Sequence, residues 1–309
     1  MKVLIYTSEY DSKNGGVVVL HRLAHLINSE TDHQAFLVPR SYDLSVQSTS
    51  LLSRMRKKLR HIRKVRCYQT NTSWQTPLLP SPTKNEINDS IVVYPEIING
   101  NPLQADNVVR WLLHQPGHFS GKVEYGKREL IYKFNSAIKD FEWPGSTTSE
   151  NELKVIYYPV DLYNTQGSVD KDERTVTCHA LRKGKHKPKV HPEDSILIDS
   201  LSHEDVAKVF KKARRFISYD DYTAYSIFAT LCGCQSIVVP EIGVSIEQWY
   251  PKESDRYGIA YGFDDKQIEW CKNTRHLVEE HIEREHARST ECVKTFLSEA
   301  EDYFSMLGD

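Results

Sequence analysis

The sequence lacks a long apolar run, and this limits the ways in which the chain can meet a membrane. Nowhere do about eighteen apolar residues follow one another, which excludes a helix that spans a bilayer but not attachment to its surface. The opening run from Met1 to Tyr6 reaches polar residues too soon to serve as the apolar region of a signal peptide. We therefore expect a first β-strand there, in a cytoplasmic protein that is soluble or peripheral at the inner face of the cytoplasmic membrane.

The sequence also lacks an excess of charge of either sign. Its 40 lysines and arginines nearly balance 42 aspartates and glutamates, so no overall field marks it as a nucleic-acid binder. With 39% apolar and 27% charged residues the composition is that of a globular protein. A chain of 309 residues can form two domains, each with its own core.

Two motifs that would indicate cofactors are incomplete. Among six scattered cysteines, Cys232 and Cys234 have one intervening residue, where zinc and redox motifs have at least two. We expect reduced, structural cysteines, as is usual in the cytoplasm. Gly15-Gly16 lacks the third glycine of the dinucleotide motif, which disfavours a nicotinamide cofactor.

Strand, loop and helix patterns alternate through both halves of the chain. Gly15-Gly16 allow a tight turn after the first strand, and apolar residues from Leu20 to Ile27 then repeat at helical spacing. A similar alternation from residue 175 to 239 requires parallel strands joined by crossovers. The predicted fold class is α/β with two parallel sheets flanked by helices. We place the domains at 1–150 and 151–289, and expect the last helix, 290–309, to pack back on the first.

The segment from Ser218 to Glu241 is typical of a ligand site, because it predicts a strand, a polar loop, a helix, a glycine stop and a second strand. In open α/β sheets, ligands bind where strands end and helices begin. Asp220 and Asp221 could accept hydrogen bonds from sugar hydroxyls, and the helix start from Thr223 to Ser226 suits phosphate. Adjacent acids on extended chain point apart, which disfavours a metal site. Three tyrosines could stack on a base or simply pack at the sheet rim: Tyr219, Tyr222 and Tyr225.

A basic loop in the same half is a second feature suited to an anion. Arg182, Lys183 and Lys185 follow a predicted strand, and Gly184 between them would let a phosphate approach without obstruction. A solvated surface loop has the same composition. Together with the segment that starts at Ser218, this loop indicates a nucleotide.

The first half offers candidates for proton transfer and for membrane contact. Glu96, His114 and His118 all follow predicted strands and could converge, although a histidine in such a place is also commonly structural. The run from Arg54 to Arg66 is basic, with a thin apolar stripe that includes Met55, Leu59 and Ile62. That pattern is typical of a helix on an anionic membrane, and equally of a solvated helix or loop.

In their order and spacing, these segments resemble a GT-B glycosyltransferase. The resemblance rests on Gly15-Gly16 with His21, on Arg182-Lys183 and on the turn 232–239. Segments 94–102, 109–117 and 219–226 are similar, more narrowly, to bacterial glycosyltransferases that build lipopolysaccharide or capsule. The resemblance implies two Rossmann-like domains facing a cleft, a nucleotide-sugar donor, a glycan or lipid-linked acceptor, and no metal cofactor.

The resemblance also implies roles for individual residues. Arg182, Lys183 and Lys185, with the helix start at 223–226, would stabilise the leaving phosphate, which Gly15 and Gly16 would admit closely. Glu96 is the first candidate for the base, followed by His118 and His114. Many retaining members carry a glutamate one turn before the glycine of the donor-side helix, where this sequence has Ser226, Ile227 and Phe228. The alternatives are a non-catalytic nucleotide-sugar-binding module and a nucleotide-sugar epimerase or reductase.

Overall fold

A computed structural model describes residues 1–45, 50–136 and 138–308, which form two compact α/β units. The first unit comprises Met1–Tyr157 and the chain from His286 onward, and the second comprises Tyr158–Glu285. Each unit contains one parallel sheet flanked by helices. The predicted fold class, α/β with two parallel sheets, is confirmed.

The sheet of the first unit has the strand order β2-β1-β3-β4-β5-β6, and all its strand pairs are parallel. Its strands are β1 (Lys2–Thr7), β2 (Gln34–Pro39), β3 (Ser90–Pro95), β4 (Asn107–Leu112), β5 (Leu130–Lys133) and β6 (Thr147–Glu152). The helices that belong wholly to this unit are α1 (Gly15–Glu30), α2 (Leu51–Arg66) and α3 (Lys84–Asn88).

The core of the first unit covers both faces of the sheet. Along β1, Val3 and Ile5 belong to one apolar cluster, while Leu4 and Tyr6 belong to another on the opposite face. A strand buried on both faces reads as a continuous apolar run, which is why the opening of the sequence could be recognised. The stripe of α1 from Leu20 to Ile27 packs into the first of these clusters.

The sheet of the second unit has the order β11-β10-β9-β7-β8, again with parallel pairs. Its strands are β7 (Val176–Ala180), β8 (Ile196–Leu197), β9 (Ala213–Ser218), β10 (Gln235–Val238) and β11 (Ile259–Tyr261). Its helices are α4 (His203–Phe210), α5 (Tyr225–Leu231), α6 (Ile246–Trp249) and α7 (Asp265–Thr274). A last helix, α8 (Val278–Gly308), begins in this unit and ends in the first, where Phe296 and Leu297 lie in the core.

Two expectations about glycine and cysteine need correction. Gly15 and Gly16 form the first turn of α1 rather than a tight turn, because the side chain of Asn14 caps the helix by accepting a hydrogen bond from the backbone N–H of Val17. Neither glycine has a positive φ. Cys232 and Cys234 are buried, as expected, whereas Cys67 is exposed and therefore does not belong to a core. Within the described ranges, no helix is both long enough and apolar enough to cross a membrane.

Candidate functional site

The carboxyl ends of β3 and β4 bring several candidate residues of the first unit together. Glu96 follows β3, and its Oε2 accepts a hydrogen bond of 3.1 Å from the backbone N–H of Leu113, just beyond β4. The rings of His114 and His118 have their centroids 4.2 Å apart. A Cβ atom on Gly16 would lie 3.6 Å from Leu113 Cδ1, so the start of α1 also reaches this edge. Gly16, Glu96 and the two histidines therefore form one cluster.

Within this cluster, Glu96 and the histidines differ in their access to water. Glu96 is only 4% exposed, and burial raises the pKa of its carboxyl group even though the backbone N–H groups of Leu113 and His114 act to lower it. His114 and His118 are exposed, and Phe119 packs 4.9 Å and 4.7 Å from their rings. The arrangement suits Glu96 to holding the loops in place, and the imidazoles to exchanging a proton with a ligand.

A buried ion pair supports the loop that carries Glu96. The Arg110 guanidinium donates hydrogen bonds of 2.8 Å to both carboxylate oxygens of Glu129, and a third bond to the carbonyl oxygen of Ile98. The hydroxyl of Tyr125 donates to the carbonyl oxygen of Glu96 at 2.8 Å. Sequence reasoning missed this support, and its one signal was a charged residue, Arg110, flanked by apolar residues within β4.

In the second unit, the loop after β7 holds Arg182 in an uncommon backbone conformation. Its φ angle is +40°, a value that costs energy for any residue with a side chain. The carboxylate of Asp199 accepts hydrogen bonds from the backbone N–H groups of Leu181 and Arg182, at 3.2 Å and 2.9 Å. The guanidinium lies 4.3 Å from the ring centroid of Tyr225. Its Nε is buried and has no hydrogen-bond partner in the described part of the chain, so this donor is unsatisfied, while Arg182 as a whole is only partly buried and can approach an anion.

Gly184 joins this loop to the polar loop after β9. A Cβ atom at this position would collide with the carbonyl oxygen of Tyr219, so the glycine is needed for packing rather than to clear a path for a phosphate. Tyr219 itself has no exposed surface, and its hydroxyl accepts a hydrogen bond of 2.6 Å from the backbone N–H of Val190. A ring without exposed surface cannot stack on a base, which corrects the expectation for Tyr219.

A lysine that sequence reasoning passed over ties the same two loops together. Lys187 is buried, and its Nζ donates hydrogen bonds of 2.7 Å to both oxygens of Asp221 and one of 2.8 Å to the carbonyl oxygen of Val239. Asp220 Oδ1 accepts a bond of 3.2 Å from the backbone N–H of Tyr222. Both acids are thus engaged within the protein. Nothing in the sequence distinguishes Lys187 from its exposed neighbours Lys183 and Lys185.

The residues around the start of α5 differ in what they can offer a ligand. Tyr222 is 62% exposed, and although its ring lies edge-to-face with Tyr250 at 5.5 Å, it is the tyrosine of this loop with enough exposed surface to stack on a base. Tyr225 is buried beneath Arg182, and its backbone N–H donates to Thr223 Oγ1 at 3.4 Å. The buried Oγ of Ser226 has no hydrogen-bond partner among the described residues. Ser226 Oγ and Arg182 Nε are therefore unused polar atoms at the same sheet edge.

The described residues also offer little to a metal ion. Among them, no group of three or more histidine, cysteine, aspartate or glutamate side chains could hold a metal ion. Catalysis without a metal remains a prediction.

Comparison with known proteins finds only distant likeness. A solved glycosyltransferase from Rickettsia africae ESF-5 aligns over 98% of both chains at 10% identity, with a TM-score of 0.43. The sucrose-phosphate synthase (tll1590) from Thermosynechococcus elongatus aligns over 99% of both chains at 10% identity, with a TM-score of 0.33. The spinosyn rhamnosyltransferase SpnG aligns over 98% of this chain and 100% of its own at 10% identity, with a TM-score of 0.32. No protein-family model and no curated protein sequence matches this chain. Likeness this weak assigns no function.

Proposed function

We propose that this protein is a glycosyltransferase that moves a sugar from a nucleotide-sugar donor to a glycan or lipid-linked acceptor. The observation that carries the proposal is Arg182, a strained residue at a strand end with a buried, unused donor. Strained backbone conformations persist where the surrounding structure holds them in place, and they cluster at functional sites. A planar cation with a free N–H is well matched to a phosphate of a nucleotide.

In this proposal the second unit binds the donor. Arg182 donates hydrogen bonds to the diphosphate, and exposed Lys183 and Lys185 add positive charge nearby. Lys187 does not contribute to this charge, because Asp221 neutralises it. Tyr222 stacks on the base or the sugar. As the bond between sugar and phosphate breaks, its electron pair goes to the phosphate oxygen, and these cations stabilise the charge that develops there.

The first unit supplies the base in this proposal. His114 or His118 accepts the proton of the acceptor hydroxyl while the oxygen of that hydroxyl forms its new bond to the sugar. Glu96 acts as a positioning residue, since its carboxylate is buried and bound to the backbone beyond β4. This order of candidates differs from the one drawn from the sequence, which placed Glu96 first.

Nucleotide binding tests the donor site directly. We expect a thermal shift with a nucleoside diphosphate, since a ligand that binds the folded state stabilises it. Arg182→Gln should raise the Kd for the nucleoside diphosphate about 10- to 100-fold, because a charge-assisted hydrogen bond is lost. Arg214→Gln is the matched control, because Arg214 is an exposed arginine on β9 of the same unit. Equal affinity in wild type and Arg182→Gln would remove Arg182 from the site.

A panel of nucleotide sugars then separates the candidate functions. Transfer or slow hydrolysis of one member supports the glycosyltransferase. Binding without either reaction would favour a non-catalytic module, a reading that the serine at position 226 keeps open. Nicotinamide absorbance in the purified protein would favour an epimerase or reductase.

We also propose that α2 rests on an anionic membrane, which would place the enzyme among those that build surface polysaccharides such as lipopolysaccharide at the inner face of the cytoplasmic membrane. Leu52, Met55 and Leu59 are each more than 60% exposed on this helix, and basic residues flank them. Binding to vesicles with anionic lipid should weaken as salt rises. Leu59→Ser should also weaken binding to these vesicles. Vesicle binding that changes neither with salt nor with this substitution would argue against the membrane contact.

A further inference from the structure

A cavity of about 470 Å³ opens at the carboxyl ends of β1 and β2 and is lined in part by α2. Glu9 lines it from the end of β1, and Arg40 from the end of β2. Arg60, Arg63 and Lys64 line it from α2. The cavity thus gathers four cationic side chains from two separate segments, against the one carboxylate of Glu9.

The four cations have no salt-bridge partner in the part of the chain that the structure describes. None of them takes part in a salt bridge between described residues. A solvated basic face would spread such charges around a helix, and α2 does carry others on its far side. Here charges from a strand end and from a helix converge on one cavity, which favours a doubly charged anion such as phosphate.

Specific contacts hold α2 against the sheet edge and so form the wall of the cavity. The ring of His61 bonds to the hydroxyls of Ser41 and Ser81 at 2.9 Å and 3.0 Å. Lys57 Nζ donates to the carbonyl oxygen of Asp43 at 2.9 Å, and the hydroxyl of Tyr68 donates to the backbone carbonyl oxygen of Ser8 at 2.7 Å. The inward side of α2 is therefore defined by Lys57 and His61.

Helix geometry places two of the three cavity cations of α2 next to this inward side. At about 100° per residue, Lys64 lies roughly 20° from Lys57, and Arg60 roughly 60° from it. Leu59 lies about 160° from Lys57 on the same wheel and is exposed. Arg60 and Lys64 thus lie on the cavity side of α2 and the apolar stripe lies on the outside, whereas Arg63, roughly 120° from Lys57, reaches the cavity from the flank of the helix.

We propose that this cavity binds a terminal phosphate or diphosphate group carried by the acceptor. The order β2-β1-β3-β4 puts the cavity and the cluster of Glu96 and His114 on one edge, two strand spacings or about 10 Å apart. A phosphorylated sugar held by its phosphate in the cavity can reach the histidines with a hydroxyl. Phosphate binding stands on the cavity itself, whereas the identification of the ligand as the acceptor rests on the proposed function.

Alkylation of Cys67 gives a readout of occupancy that does not require turnover. Cys67 lines the cavity and is exposed, while Cys292 is partly exposed elsewhere and serves as the internal control. Four other cysteines should react slowly because burial raises the pKa of their thiols: Cys178, Cys232, Cys234 and Cys271. The rate at each cysteine is measured by mass spectrometry at constant ionic strength, with inorganic pyrophosphate as the probe.

We expect pyrophosphate at about ten times its Kd to slow alkylation of Cys67 roughly tenfold, by mass action, and to leave Cys292 unchanged. The double variant Arg60→Gln with Lys64→Gln should need at least about ten times more pyrophosphate to protect Cys67 to the same extent, because a charge-assisted hydrogen bond is lost. Arg56→Gln with Lys58→Gln is the matched control on the same helix, because neither residue lines the cavity. If pyrophosphate protects Cys67 equally well in the variant with Arg60→Gln and Lys64→Gln, the proposed phosphate site is wrong.

Vesicles distinguish a lipid headgroup from a soluble phosphate. Protection by phosphatidate, which has a terminal phosphate, but not by phosphatidylglycerol would assign the site to a lipid phosphate. Equal protection by both lipids without any effect of pyrophosphate would mean that a membrane merely covers Cys67, and would overturn the proposal, as would no protection by any probe. Protection of Cys67 in a protein that transfers no sugar would keep the phosphate site and reject its identification with an acceptor.

Discussion

Each unit holds the loops at its sheet edge with an ion pair, and the two pairs differ in how far water reaches them. In the first unit, the side chains of Arg110 and Glu129 are 0% and 2% exposed. In the second, those of Lys187 and Asp221 are 3% and 19% exposed. Because the Arg110–Glu129 pair is shielded from water and from ligands, it contributes only to the rigidity of its loop. A pair at the rim also sets the charge that a ligand meets, and by cancelling each other Lys187 and Asp221 leave Arg182 as the cation nearest the strand end.

The largest expected effect tests the claim that proton transfer belongs to the first of these edges. His114→Asn with His118→Asn should lower kcat about 100- to 10,000-fold, the usual contribution of a general base, with little change in nucleotide affinity. His276→Asn is the control, since His276 is an exposed histidine of the other unit. The two single variants then identify the base. A fully active double variant would return Glu96 to first place.

The second prediction compares the two ion pairs directly. Glu129→Gln should lower the free energy of unfolding of the first unit by about 3–5 kcal/mol, because it leaves the Arg110 charge buried and unpaired. Asp221→Asn should cost the second unit less, about 1–3 kcal/mol, since water reaches this pair. Hydrogen exchange followed by mass spectrometry measures each unit separately. Glu124→Gln, in an exposed pair, should cost less than about 1 kcal/mol. Equal losses at Glu129 and Asp221 would break the comparison.

The third prediction contrasts one glycine from each edge. Gly184→Ala should destabilise the second unit by about 1–3 kcal/mol, because the added carbon collides with the backbone at Tyr219. Gly15→Ala should instead be neutral or stabilise the first unit by up to about 1 kcal/mol, since its Cβ would meet open space at the start of a helix. Thermal unfolding of the two variants checks the sign. A stable Gly184→Ala protein would mean that the two loops separate easily.

The smallest expected effect is a dependence of the second unit on pH. The rings of His179 and His191 stack with centroids 3.6 Å apart. Burial and then the charge of His191 lower the pKa of His179, and burial and then Lys189 lower that of His191. At pH values above about 6.5, the pKa of a histidine in the unfolded chain, both histidines are neutral in the folded and the unfolded protein, and the unit has its full stability. As pH falls below that value the unfolded chain binds protons first, so stability declines.

Urea unfolding between pH 8 and pH 5 measures this decline. His191→Gln should flatten it, because the partner charge disappears. A slope that is unchanged in this variant would locate the pH dependence elsewhere in the chain.

Much of the secondary structure could be predicted because its signals are local. Apolar periodicity identified α1, and Ser202 caps α4 by accepting a hydrogen bond of 3.2 Å from the backbone N–H of Asp205. The strand β6, over 147–152, was not predicted, because it is an edge strand made of polar residues and has no apolar pattern. The short strands β5 and β11 lacked the length for a clear pattern. Pairing with neighbours, which no local pattern records, determines these strands.

The candidate site divides in the same way. Residue type and position at a strand end were enough to nominate Glu96, His114, His118 and Arg182. Burial then set their order in the proposed mechanism, because the carboxylate of Glu96 is enclosed whereas the imidazoles of His114 and His118 are exposed. The residues that sequence reasoning missed, such as Glu129 and Lys187, act through partners 19 and 34 positions away, and only folding brings such groups together.

By itself, the sequence determined the fold class and nominated the sheet edges of the candidate site, since both follow from apolar periodicity and from polar residues at strand ends. The tertiary structure alone decided which charges remain available to a ligand. Lys183, Lys185 and Lys187 are alike in sequence, yet only Lys187 is buried against a carboxylate. The physical reason is that the charge a ligand meets depends on burial and on partners distant along the chain, and the fold sets both.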